Sequence, residues 1–274
     1  MKVHHLNCAT LCPPAPGPLL NPERKMVCHC LLVETRDGLV LIDTGLGLDD
    51  VARPRARLGG TFVLLVGPKL DAAETAARQV EALGFQRKDV RHIVPTHLDL
   101  DHAGGLSDFP DAEVHVHDPE ITAALKPLTR LERERYRAAQ WAHGPRWDRR
   151  KLEGDHWFGF EAVRAVPGLG DEVLIVPTAG HTRGHAAIAV RTGDTWLLHC
   201  GDAYFYRGEM DPDRRRVTPL LDIFQRIVQV EGEARVRNQE RLRILAREHA
   251  AQVRVMCAHD PLEFERFAHG AAPR

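Results

Sequence analysis

Residues 96–105 read Thr-His-Leu-Asp-Leu-Asp-His-Ala-Gly-Gly, which places four side chains able to ligate a cation, His97, Asp99, Asp101 and His102, within six positions. Burying two carboxylates and two imidazoles this close together without partners costs several kcal/mol for each. A divalent cation supplies a partner to all four at once. The alternative is a solvated loop, but the preceding residues 90–95 form an apolar, strand-like run. The cluster therefore sits at a strand end, where α/β proteins place their chemistry.

Three further apolar runs end in a candidate ligand. Residues 173–177 lead into Thr178-Ala179-Gly180-His181-Thr182-Arg183-Gly184-His185, residues 195–199 into Cys200-Gly201-Asp202, and residues 253–257 into Ala258-His259-Asp260-Pro261. A lone histidine after a strand is more often a satisfied structural residue than a ligand. Four such endings, one of them a tight cluster, point to one shared centre. The six cysteines offer less. Cys28-His29-Cys30 lies in an alternating run with both thiols on one face, and no second pair has zinc-finger spacing. Cys200 and Cys257 each stand two residues before a candidate ligand. All six, Cys8, Cys12, Cys28, Cys30, Cys200 and Cys257, are expected to be buried, reduced, small apolar residues.

The elements that must position these groups alternate between strand and helix. The Pro-rich first twenty-five residues suggest an extended lead-in wrapping the domain. Residues 26–34 and 39–42 form two strands around Thr35-Arg36-Asp37-Gly38, a hairpin signal, and the second ends in Asp43-Thr44-Gly45. Residues 71–83 predict a helix capped by Asp71 and ended by Gly84. Strands are expected at 113–117, 186–191 and 195–199, and a helical stretch at 220–249 with a break near Gly232. Residues 119–160 carry Trp141, Trp147 and Trp157 among charges, with a helical pattern interrupted at Pro127 and no strand signal. This predicts a helical insertion serving as a lid over the site or as a homodimer surface, within a single α/β domain spanning 1–274.

Lys and Arg number 37 against 38 Asp and Glu, so the net charge is near zero. Nothing in that balance grips nucleic acid or an anionic membrane, and a small-molecule substrate is expected. The basic runs at 130–137 and 214–216 have acids among them or near them and read as solvated faces. No run of eighteen apolar residues occurs, and Met1-Lys2-Val3-His4-His5 lacks the apolar stretch of a secretory signal, which predicts a cytoplasmic protein.

Together these motifs resemble the metallo-β-lactamase-fold hydrolases, most closely their acyl-homoserine lactonase-like branch. The His-x-His-x-Asp-His signature appears at 97–102 and is followed by Ala-Gly-Gly. Gly-His-Thr-x-Gly-His appears at 180–185, Gly-Asp at 201–202, the last histidine at 259 and Asp-Thr-Gly at 43–45. The likeness covers about residues 26–262 and implies an αββα four-layer sandwich with two divalent metal ions at one edge. One ion would take His97, Asp99 and His181, the other Asp101, His102 and His259, with Asp202 bridging. Asp43 would hold a ligand imidazole in its tautomer, and His185 would stand beside the ligands. Zinc is the expected metal. Most members carry histidine where this chain has Asp99, and the carboxylate there is similar to the Glu of flavo-diiron proteins, which brings in Fe or Mn.

The reaction this implies is attack of a metal-bridged hydroxide on the carbonyl of a small ester or lactone. Asp101 is the candidate for carrying a proton to the leaving group, with a pure ligand role as the equal alternative. In acyl-homoserine lactonases a tyrosine three positions after the bridging Asp helps bind the carbonyl. Phe205 stands there in this chain, which leaves Tyr204 and Tyr206 as catalytic candidates, with core packing as the alternative. Arg183 either meets an anionic substrate group or is an exposed turn residue. Two other activities compete: a glyoxalase II-like thioester hydrolase, for which no separate C-terminal glutathione-binding domain is visible, and a non-hydrolytic diiron redox protein, prompted by Asp99, for which no flavodoxin-like domain is attached.

Overall fold

In a computed structural model describing residues 1–14, 22–151 and 153–270, residues 26–42 fold as the expected hairpin. Strands β2 (Met26–Thr35) and β3 (Gly38–Ile42) pair antiparallel across the two-residue loop Arg36-Asp37, and Gly38 takes φ +124°. The segment before them differs from expectation. Residues 2–11 form a strand, β1 (Lys2–Leu11), paired antiparallel with β2, because alternate residues bury against the first sheet's helices. The rest of the Pro-rich lead-in lies partly outside the described residues. Strands β4 (Val90–Val94), β5 (Glu113–His117) and β6 (Arg146–Arg150) extend this sheet in parallel, in the order β1-β2-β3-β4-β5-β6.

The second sheet runs β12-β11-β10-β9-β8-β7, from β7 (Asp155–Trp157), β8 (Phe160–Ala165), β9 (Val173–Pro177), β10 (Ala186–Thr192), β11 (Thr195–His199) and β12 (Val253–Met256). All its pairings are antiparallel except β11 with β12. Period-two alternation gives each sheet an inner apolar face. Leu31, Val33, Val40, Ile42 and Val94 meet Val173, Ile175, Ile188, Val190, Leu197 and Met256 between the sheets. The outer faces take helices: Ala76, Ala77 and Val80 of helix Ala76–Ala82 pack on the first sheet, and Leu242 and Leu245 of helix Gly232–Glu248 on the second. This is the αββα sandwich.

The insertion corrects the sequence reading. Residues 119–160 contain helices Asp118–Leu125 and Arg130–Arg135, but also β6 and the edge strand β7. Strand β6 reads Arg-Trp-Asp-Arg-Arg and has no apolar alternation to betray it. It forms because β5 offers an open edge, and charged residues suit a solvent-facing edge strand. Residues 71–83 also split: Asp71 accepts from Ala73 N and caps a short 3-10 turn, and Thr75 caps helix Ala76–Ala82. The stretch at 220–249 breaks as expected, into Pro219–Val228 and Gly232–Glu248. All six cysteines are free thiols, but Cys12 is exposed, unlike the other five. No helix of the described residues is long and apolar enough to cross a membrane.

Register brings the strand ends together. Ile42 pairs with Val94 and His199 with Met256, so the residues that follow these strands leave each sheet side by side. Hydrogen bonds tie the sheets at that edge, among them Ala186 N to Thr96 O and His29 N to Ala258 O, both 2.9 Å.

Candidate metal centre

Residues 97–102 turn from a strand end into the single-turn helix Leu100–Ala103. Asp99 occupies its N-cap position, yet its carboxylate caps nothing and turns into the site instead. The following glycines are required by close approach: a Cβ on Gly104 would stand 2.1 Å from Asp50 Oδ2, and one on Gly105 would stand 2.8 Å from Thr44 O. This contact lays residues 43–45 against the ligand turn. Thr44 Oγ1 donates to His102 O, and Gly105 N donates back to Thr44 Oγ1.

The structure brings all seven sequence-predicted ligands to one buried place. His181 Nε2 lies 3.0 Å and His97 Nε2 3.5 Å from Asp99 Oδ2, and the same nitrogens lie 3.4 and 3.7 Å from Asp202 Oδ2. On the other side, His259 Nε2 and His102 Nε2 lie 3.0 and 3.2 Å from Asp202 Oδ1. Asp101 Oδ2 is 3.7 Å from His259 Nε2 and 4.0 Å from His102 Nε2. Asp202 thus turns one oxygen to each group of imidazoles. His97 Nε2 and Asp99 Oδ1 are buried with no hydrogen-bond partner. Such orphaned atoms are costly unless something else meets them, and a set of imidazole and carboxylate donors converging on two points fits two cations.

Surrounding groups fix the imidazoles. Asp43 accepts from Thr96 N and Thr96 Oγ1 and bonds His102 Nδ1 at 2.9 Å, leaving His102 Nε2 for the site. Burial alone would raise the Asp43 pKa, but His102 and other imidazoles pull it down to about 2. His259 Nδ1 donates to Val27 O at 2.8 Å, again freeing Nε2. His185 is not among the converging donors. It bonds Thr178 Oγ1 through Nδ1 and accepts from Asp202 N through Nε2, steadying the backbone of the carboxylate between the two groups. Burial disfavours charge on His102, yet Asp202, Asp43 and Asp101 hold its pKa well above the ordinary value. The same negative potential attracts a cation.

Three residues that the sequence did not place in the site reach this centre. Glu120 and Arg135 come from the insertion. Glu120 Oε1 accepts from Leu98 N and Tyr136 OH, and Oε2 accepts from Thr182 Oγ1 and Gly184 N, so one buried carboxylate clasps both ligand loops. A Cβ on Gly184 would stand 2.0 Å from Glu120 N, which explains the glycine there. Arg135 Nη1 lies 3.2 Å from Asp99 Oδ2. Burial and then this guanidinium push His181 down to about 4. The third is Cys28, whose thiol donates to Asp101 Oδ2 at 3.7 Å and groups with Asp101 and His259 as a potential donor set. No local signal marks any of them, since each arrives through a long-range contact.

The tyrosine candidates do not gather here. Tyr204 is fully buried in the core under the second sheet, and its hydroxyl is committed to Glu263 at 3.1 Å. Tyr206 packs under the Arg207 guanidinium, 4.7 Å from the ring centroid, and lines a surface cleft with Arg254 and Phe267. The residue between them faces the ligands: the Phe205 ring stacks on His259 at 5.2 Å and meets His181 at 5.7 Å. Alternation along the chain sends Phe205 to the opposite side from its neighbours. Arg183 is not an exposed turn residue: it is half-buried, and its Nε donates to Glu132 Oε1 at 2.6 Å. A separate donor group, His92, Glu113 and His115, is already satisfied by the bonds of His115 to His92 and Asp148.

Comparison with known proteins agrees with this geometry. The family model for the metallo-beta-lactamase superfamily matches residues 24–240. A protein named as a probable metallo-hydrolase from Mycobacterium tuberculosis is 45% identical over 261 residues, covering 95% of this chain and 81% of its own. An N-acyl homoserine lactonase from Bacillus thuringiensis is 30% identical over 178 residues, 65% of this chain and 62% of that one. Among solved structures, an N-acyl homoserine lactone hydrolase with N-hexanoyl-L-homoserine at its catalytic metal centre superposes with a TM-score of 0.69. It shares 22% identity and covers 96% of this chain and 94% of that one. A match over most of the chain, on a fold whose strand ends converge on these donors, decides the family: the chain belongs to the metallo-beta-lactamase superfamily.

Proposed function

We propose that the protein hydrolyses a small ester or lactone, with one divalent cation held by His97, Asp99 and His181, a second by Asp101, His102 and His259, and Asp202 between them. The observation that carries this reading is the division of Asp202, Oδ2 toward the first imidazole pair and Oδ1 toward the second. Imidazole with carboxylate suits zinc, and the additional carboxylate of Asp99 also admits iron or manganese. When bound, such cations acidify water and polarise a carbonyl.

The chain's own groups do the rest. Asp43 and the Val27 carbonyl keep Nε2 of His102 and His259 directed inward. His185 steadies Asp202 through its backbone. Asp101 has a slightly more open side chain than Asp202, 12% against 5% exposed, and is the carboxylate suited to pass a proton to a leaving alkoxide. Phe205 covers the imidazoles with an apolar ring and limits water there. The lactonase relatives support lactones ahead of thioesters as substrates.

The test is elemental analysis of protein purified without added metal, with the same sample assayed on lactones, aryl esters and thioesters. Two cations per chain and lactone turnover are expected, and Asp202→Ala should lose activity by several orders of magnitude together with bound metal. Less than one cation per chain, with no turnover after Zn, Mn or Fe is added back, overturns the reading.

A further inference from the structure

Arg135 ends helix Arg130–Arg135 and is buried, with 8% of its surface exposed. Its guanidinium does not reach outward for a substrate. Nη1 lies 3.2 Å from Asp99 Oδ2 and donates to His181 O at 3.3 Å, and Nη2 donates to Val228 O. Asp101 and Asp202 also face imidazoles, but of the three site carboxylates only Asp99 meets a guanidinium as well. Asp99 Oδ2 thus meets a permanent cation as well as the His181 imidazole, while Oδ1 is buried without any partner.

We propose that Asp99 and Arg135 act as one charge-neutral donor to the first cation position, and that Arg135 is a positioning residue setting how tightly that position holds its metal. The proposal rests on the metal-dependent reading of the site. A bare carboxylate at 99 would add a full negative charge beside Asp202 in a buried place where screening is weak. Arg135 cancels that charge at contact distance, so the pair presents the first position with the net charge of a neutral imidazole. Cation and guanidinium share one carboxylate, and each weakens the other's hold on it. The arginine comes from the insertion, so the packing of helix Arg130–Arg135 is coupled to the affinity of the first position.

The experiment titrates metal-free protein with Zn(II) and with Mn(II), by calorimetry or competition with a chromophoric chelator. Co(II) absorption serves as a readout of ligand geometry independent of turnover. Wild type is expected to bind two cations in a tighter and a weaker class. Arg135→Met removes the charge and should tighten the weaker class at least tenfold, more for Mn(II) than for Zn(II), while the tighter class stays unchanged. Arg135→Lys should stay near wild type. Arg135→Gln keeps a donor for the His181 carbonyl and serves where the Met variant does not fold. Affinities that are unchanged, or that weaken together, in a folded charge-removed variant overturn the proposal and leave the dinuclear reading intact. A wild type that binds less than one cation overturns both.

Discussion

The Phe205 ring stacks on the His259 imidazole, centroids 5.2 Å apart and planes 15° from parallel, and meets the Phe224 ring at a right angle. It is an apolar wall on two of the converging imidazoles, His259 and His181. Phe205→Ala should lower stability by about 3 kcal/mol from the cavity alone, read by urea unfolding. It should also loosen metal binding. Phe205→Tyr keeps the ring, and its added donor should raise kcat/KM on lactones by about tenfold, the worth of one hydrogen bond. An unchanged kcat/KM would place the ring away from the reacting carbonyl.

Asp43 holds the Nδ1 side of His102 while its own backbone sits at φ +57°, a conformation that short polar side chains tolerate. Asp43→Asn removes the charge and can turn a donor toward the imidazole. Metal affinity at the second position should drop about 10- to 100-fold, as is usual when a ligand histidine loses its carboxylate partner. Equilibrium dialysis measures this, and the first position should hold its metal as before.

Glu120 accepts one backbone N–H on each oxygen, from Leu98 at 2.9 Å and from Gly184 at 3.2 Å. Whichever way the amide of Glu120→Gln turns, its NH2 meets a donor that cannot reverse. The variant should lose about 2–4 kcal/mol of stability despite equal size, seen as a lower urea midpoint. A midpoint within error of wild type would mean that the carboxylate clasp does not hold the ligand loops.

Burial raises Glu263 to about 8, Asp260 adds to the shift, and bonds from Cys257 N and Tyr204 OH only partly offset it. Folded, this carboxyl keeps its proton at neutral pH; unfolded, it gives it up above about 4.5. Its contribution to stability is complete below the unfolded value and is lost as pH rises toward 8. Glu263→Gln has nothing to ionise. The stability of wild type relative to this variant should therefore fall steadily between pH 5 and pH 8, and a pH-independent difference would refute the raised pKa.

The strands that carry the candidate donors were legible because period-two alternation and a donor residue at the strand end are local signals. Residues 97–102, His181, Asp202 and His259 all lie where a short apolar run stops. Strand β6 was not legible, since a charged edge strand exists only because β5 leaves an edge open for it. Tyr204 and Tyr206 lie close to Asp202 in sequence, but that nearness does not carry over into space. In the folded chain one spends its hydroxyl on Glu263 and the other lines a surface cleft.

Residue types and spacing by themselves presented candidate donors at four strand ends and the motifs that carry the family resemblance, and it was the resemblance that implied the sandwich. Only the tertiary structure decided that Asp202 divides its oxygens between two imidazole groups, that Glu120 joins the ligand loops and that Arg135 stands against Asp99. Those contacts join residues far apart in sequence, and their distances follow from how the sheets and the insertion pack. For Asp99 the difference is concrete. The sequence presents it as one more anionic ligand, whereas the fold sets a buried guanidinium 3.2 Å away and so changes the charge a cation would meet.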